Sequence, residues 1–120
     1  MQGIPVSVWI NDSGCTKHMT GNKSLLFNFV DKFLGTVRFG NDHFAAIVGY
    51  GDVIHGNITI RRVSYVEGLT HNLFSVGQFC DNNLEVVFRK HWCKVRTEDG
   101  VDLLHGTRSS NLFTINLNNA

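Results

Sequence analysis

Apolar residues in this chain recur at alternate positions in short bursts, each closed by residues that favour turns. Val6, Val8 and Ile10 alternate with Ser7 and Trp9 before the chain turns polar at Asn11. An alternation of period two places successive side chains on opposite faces of a strand. By this signal residues 6–10, 36–39, 44–48, 58–66, 84–88, 93–96 and 112–115 are predicted strands. Gly40-Asn41-Asp42 and Glu98-Asp99-Gly100 separate two pairs of them, and both triplets tolerate the positive φ of a tight hairpin. One helix is predicted over residues 72–80, where Leu73, Val76 and Phe79 or Cys80 fall about one turn apart, with Asp81-Asn82-Asn83 as its stop. The polar end, residues 116–120, is expected to fray.

Composition narrows the class. A chain of 120 residues suits one compact domain. The formal net charge is +1 with acidic and basic residues interspersed, so no electrostatic footprint for nucleic acid is expected. No apolar run approaches the roughly 20 residues that span a bilayer, and Met1-Gln2-Gly3-Ile4-Pro5 lacks the regions of a signal peptide. Three cysteines at irregular spacing argue for reduced thiols rather than a disulfide framework. A soluble cytoplasmic domain without a membrane partner is the expectation.

The residues that carry chemistry are Asp12, Ser13 and Gly14, placed where the first apolar strand stops. A carboxylate at a strand end is held rigidly, a hydroxyl beside it can donate within the turn, and glycine admits a second backbone or a substrate. By itself the tripeptide also suits an ordinary turn. Cys15 and His18 have the two-residue spacing of zinc ligands, with His71, Cys80, His91 and Cys93 as further donors. A structural zinc site takes two well-spaced pairs, and Cys80 and Cys93 fall in elements where cysteine packs as a small hydrophobe, so neither metal nor cofactor is expected.

From Trp9 to Gly21, with Asp12-Ser13-Gly14-Cys15 followed by His18-Met19-Thr20-Gly21, the chain resembles the protease of copia-type LTR retrotransposon Gag-Pol polyproteins. The resemblance runs on through Asn22 to Phe27, Val48 to Val53 and Val63 to Val76. It implies an all-β, retroviral-type aspartic protease fold, a closed β barrel with a flap hairpin and one short helix. Two features depart from the family pattern: Asn11 precedes the acid where an apolar residue is usual, and His71 stands next to Asn72 where an arginine belongs. The resemblance further implies a protease domain over residues 1–105. Gly106 to Phe113 looks like the start of the linker toward the integrase region, which gives a second segment of residues 106–120.

Under that resemblance Asp12 is the catalytic acid, Ser13 and Gly14 support its loop, and Gly40, Asn41 and Asp42 form the flap tip that closes on substrate. Gly49-Tyr50-Gly51 is a rival for the tip. A single catalytic aspartate in so short a chain implies a homodimer, with two Asp12 carboxylates sharing a proton. The implied substrate is the element's own polyprotein, cleaved in virus-like particles in the cytoplasm. The alternative is a catalytically silent protease-like module that dimerises or takes an extended peptide by strand addition.

Overall fold

The structure, a computed structural model, describes residues 6–11, 17–39, 42–110 and 112–117. Its strands are β1 (Val6–Asn11), β2 (Met19–Thr20), β3 (Phe27–Asp31), β4 (Thr36–Phe39), β5 (His43–His55), β6 (Ile58–Val66), β7 (Asn72–Ser75), β8 (Leu84–Phe88), β9 (Trp92–Thr97), β10 (Asp102–Ser109) and β11 (Leu112–Leu117). Among the described residues one helix, α1 (Val76–Asp81), follows β7, and a single 3-10 turn spans Lys23–Leu25. The class is all-β, as the alternation indicates. Two compact units share the chain: a central unit, His18–Asn72, and a terminal unit made of Met1–Lys17 and Leu73–Ala120.

In the central unit β5 is the organising strand. Its 13 residues leave room for β4 along the first half and β3 along the second, while β6 pairs on its other side and β2 adds parallel to β6. Ile47, Gly49, Gly51 and Val53 are buried and the residues between them are more open, so one face of β5 points inward from Ile47 to Val53. Two of those inward residues are glycines for a reason of space. A Cβ at Gly49 would collide with the Phe29 ring and the Val30 carbonyl, and one at Gly51 would press on the Phe27 carbonyl. The missing side chains let β3 lie close and let Phe29 meet Tyr65 edge-on, with ring centroids 6.0 Å apart. Along β6 the alternation slips at Arg62, whose φ of 59° marks a bulge, so Ile60 and Val63 are both buried although three positions apart.

The terminal unit is an antiparallel meander, β11-β10-β9-β8, with β1 on the outside of β11 and β7 beyond β1. Val8, Ile10, Phe74, Phe79, Cys93, Val95, Leu104, Ile115 and Leu117 form its apolar interior. Gly106 faces Cys93, and a Cβ there would lie 2.7 Å from the Cys93 sulfur. Neither unit joins its two end strands to each other among the described residues, so neither forms a closed barrel alone.

The expected helix is half strand. Residues 72–75 extend as β7, and only Val76–Asp81 coil. Ser75 makes the switch: its extended backbone ends the strand, and its hydroxyl accepts the Gln78 backbone N–H at 3.1 Å as an N-cap. Phe79 is the one buried residue of the helix and meets Phe74 edge-on at 5.4 Å. Part of the tail expected to fray, through Leu117, instead belongs to β11, with Asn116 opposite Ser7 and its side-chain carbonyl accepting the Ser7 hydroxyl at 3.0 Å. Of the segment read as the start of a linker, residues 106–109 lie in β10 and 112–117 in β11.

Candidate active site

Asp12, Ser13 and Gly14 lie outside the described residues, as do Gly40 and Asn41 of the expected flap tip. The elements on either side of each segment are described, and they show how firmly the chain is held there. On the entry side β1 pairs with β11 from Val6↔Leu117 to Ile10↔Phe113. Val8 and Ile10 are each 2 % exposed, so the strand is locked into the terminal unit two residues before Asp12. Opposite Ile10, Phe113 stacks edge-on against Phe88 at 5.1 Å and carries the Arg108 guanidinium 5.9 Å over its ring. The strand end is therefore bordered by aromatic surface and a cation.

On the exit side the chain is anchored within the central unit by the residues of the His18-Met19-Thr20-Gly21 motif. The His18 carbonyl accepts the Ser64 N–H at 2.9 Å, and Met19 and Thr20 pair in parallel with Ser64 and Tyr65. Thr20 works in both directions: its hydroxyl donates to the Asn72 side-chain carbonyl at 2.5 Å and accepts the Asn22 N–H at 3.0 Å. Asn22 in turn caps the 3-10 turn by accepting from the Ser24 N–H and hydroxyl. Gly21 passes so close to Leu69 that a Cβ would fall on the Leu69 carbonyl oxygen. These four residues are architecture.

His18 shows what that architecture demands. It is 1 % exposed, and burial pulls its pKa down to about 4, because the imidazolium would lose its hydration. It is a neutral packed residue near neutral pH. Cys93 is fully buried with its thiol pushed upward by desolvation, which makes it a core side chain. Among the described residues no cluster of His, Cys, Asp and Glu has the geometry to hold a metal ion.

The flap expectation falls on the β4–β5 hairpin, whose register runs from Thr36↔Ala46 to Phe39↔His43. Asp42, the described member of the expected tip, adopts a φ of 61° and forms an ion pair with Arg38 across the hairpin. Both side chains are well exposed, so the pair adds little stability. The Arg38 guanidinium lies 5.9 Å over Phe44, which is 65 % exposed. Gly49-Tyr50-Gly51, the rival tip, sits inside β5 with strands on both sides and is not a turn. The Glu98-Asp99-Gly100 turn forms as expected, with Gly100 at φ 94° and the Thr97 hydroxyl donating to the Asp99 carboxylate.

Sequence reasoning did not single out Thr20, Asn72 and Ser64 as supports for this region. Signals for two of them lay in the motifs themselves, since Thr20 and Asn72 each stand beside apolar residues and carry side chains that can bond to each other.

The family described as "Pol polyprotein, beta-barrel domain" matches residues 9–84. The chain is 37% identical over 70 residues to the putative transposon Ty5-1 protein of Saccharomyces cerevisiae, a match covering 58% of this chain and 48% of that one. It is 30% identical over 76 residues to the retrovirus-related Pol polyprotein from transposon TNT 1-94 of Nicotiana tabacum, covering 59% of this chain and 6% of that polyprotein. The chain thus spans less than half the length of either relative it matches. No solved structure matches.

Proposed function

From the premise that the chain belongs to the Pol polyprotein β-barrel family, and is a domain related to retrotransposon Pol polyproteins, we propose that it is the element's aspartic protease. The observation that carries the reading is the position of Asp12-Ser13-Gly14: in sequence it follows directly on a strand whose Val8 and Ile10 are buried, and it lies inside the family match of residues 9–84. The protein acts as a homodimer in which each protomer contributes one Asp12, one β4–β5 flap and the loop support of Ser13 and Gly14. Barrel closure belongs to the same proposal. Residues 1–105 are the protease domain, and 106–120 begin the connection toward the integrase region while also completing the sheet through β11. The substrate is the element's own polyprotein, cut within cytoplasmic particles.

Two carboxylates about 3 Å apart do not both ionise easily, so the pair holds one proton. One Asp12 takes a proton from the attacking water while the other donates to the carbonyl oxygen of the peptide bond. The pair titrates as a unit, and the rate falls on either side of the singly protonated state. Closure of the flap excludes water from the bound peptide.

The test is cleavage of a panel of peptides spanning polyprotein junctions. Asp12→Asn is nearly isosteric and removes only ionisation, so it should lower the rate by about 10³-fold or more while sedimentation shows an unchanged dimer. Cleavage retained by that variant ends the assignment. The second reading, a silent module that binds an extended peptide, draws on the exposure of Phe33 and Phe44 around β4. Peptide binding without cleavage by the wild type would favour it.

A further inference from the structure

The cations of the terminal unit look scattered in sequence, yet the strand register gathers several of them at one end of the sheet. Arg89, Lys90 and His91 form the turn between β8 and β9. Arg108 is brought to the same turn from β10: its backbone N–H donates to the His91 carbonyl at 3.0 Å and its guanidinium to the Lys90 carbonyl at 3.4 Å. A further guanidinium bond, Nε to the Ser110 carbonyl at 3.0 Å, fixes the adjoining β10–β11 turn. Two aromatic rings lie within the cluster. Trp92 carries Arg89 at 5.8 Å and Lys94 at 4.9 Å from its ring, and Phe113 carries Arg108 at 5.9 Å.

Among the described residues of β8 to β11 no acid interrupts this end, although β1 also ends here, at Ile10 opposite Phe113, with Asp12 two residues further along the sequence. Residues 86–97 and 103–120 contain neither Asp nor Glu. Asp102, which neutralises Lys94 and Arg96 at 3.0 and 3.2 Å, sits six residues down β10 from Arg108, about 20 Å away along an extended strand. Glu98 and Asp99 occupy the opposite turn of the β9–β10 hairpin. Within β8 to β11 the described charges are separated, with one end cationic and aromatic and the other acidic.

We propose that this end of the terminal unit, built on Arg89, Lys90, Arg108 and Trp92, binds single-stranded nucleic acid. Closely spaced cations neutralise successive phosphates, and an aromatic ring beside them offers a stacking face to any base. A duplex hides its base faces, and an acidic peptide has no flat π-system to stack, so the aromatic component favours the single strand over both. The Arg108 bonds hold the two turns together, which presents the Arg89 and Lys90 charges on a fixed frame rather than a loose loop.

The experiment is fluorescence anisotropy of the 120-residue chain with a labelled single-stranded RNA of about 12 nucleotides, a length within the usual single-domain site size. Binding should strengthen as NaCl falls from about 200 to about 50 mM, with a linear log–log dependence. Arg89→Gln with Lys90→Gln changes only exposed turn residues, so it should keep the wild-type melting curve. It should weaken binding about 10-fold at low salt and flatten the salt slope by about 1.4, the contribution of two phosphates. Trp92→Ala should weaken binding about 10-fold with little change in that slope. A charge-matched control in the central unit, Lys32→Gln with Arg38→Gln, should bind as the wild type does. The proposal is overturned by no binding at low salt, by equal loss in the control variant, or by equal affinity for a duplex or a poly-glutamate peptide of similar length. None of these readouts depends on peptide cleavage, so the outcome is independent of the fate of Asp12.

Discussion

The central and terminal units are both β structures, but they are specified by different means. The terminal unit buries an apolar set along its strands, and its only buried polar side chain among the described residues is Ser75, which caps α1. The central unit buries His18, Thr20 and Ser64 together with its apolar residues. Apolar contact is tolerant of detail because it is non-directional, whereas a buried polar group costs free energy unless each of its bonds is met. The central unit should therefore be the brittle one, sensitive to single atoms and to pH, although the proposed catalytic acid follows a strand of the other in sequence. The roles of His18, Met19, Thr20 and Gly21 behind the acid are then those of packing and bonding.

The largest effect that tests this contrast is expected at Gly21. A Cβ there meets backbone, the Leu69 carbonyl, which cannot rotate away as a side chain could. Gly21→Ala should cost roughly 3 kcal/mol or more, at or beyond the upper end of ordinary overpacking, and should be read by urea denaturation of the purified chain. A loss under about 1 kcal/mol would mean that the chain between β2 and Leu69 shifts easily, and the central unit would not be brittle in the sense argued.

Next comes acid. His18 has its folded pKa lowered from 6.5 to about 4, so the unfolded chain takes up the proton first as pH falls. Above pH 6.5 the residue contributes no pH dependence. Between 6.5 and about 4 stability drops by about 1.4 kcal/mol per unit, and below that the loss levels off at about 3 kcal/mol in total. Urea midpoints measured across this range should fall on acidification, and His18→Gln should flatten the dependence. An equal slope in the variant would assign the acid sensitivity to another group. A protease acting at mildly acidic pH would meet this limit on its acid side, where loss of fold and loss of the ionised carboxylate coincide.

The same contrast explains what could be read from the sequence. The strands Thr36–Phe39, Ile58–Val66 and Leu84–Phe88 follow directly from alternation, and the Glu98-Asp99-Gly100 turn from its residue types. β3 was hidden because four of its five residues are exposed and Asn28 breaks the extended run with a φ of 55°. β10 was hidden because only Leu104 and Gly106 of its eight residues are buried, and glycine gives no apolar signal. The helix was drawn too long because Leu73, Val76 and Phe79 satisfy a helical spacing that β7 and α1 together also satisfy. The basic end of the terminal unit was illegible for a different reason: Arg108 lies 17 or more residues from the turn it joins, and only the β9–β10 register connects them. Of the candidate site, the sequence named the acid and the motif behind it, but it could not show that Thr20 and Asn72 bond to each other.

The smallest effects are expected in α1, where two neighbouring changes should have opposite signs. Ser75 is fully buried and its hydroxyl satisfies the Gln78 N–H, a donor that has no partner inside the helix. Ser75→Ala should cost about 1 kcal/mol, the usual value of an N-cap. Gly77 lies two residues further on, is exposed, and has only the Ser75 hydroxyl within 4 Å of a built Cβ, at 3.7 Å. Gly77→Ala should therefore stabilise by roughly 0.5 kcal/mol through lower unfolded-chain entropy and better helix propensity. Both are within reach of paired urea titrations when each variant is run beside the wild type. The sequence Ser75-Val76-Gly77-Gln78 has the spacing of a capping box, so the strand-to-helix switch depends on this cap and not on the apolar spacing of residues 72–80. If Ser75→Ala were neutral while Gly77→Ala stabilised as expected, the helix would start without its cap, and the extended β7 would have to be fixed by Phe74 packing on Phe79 instead.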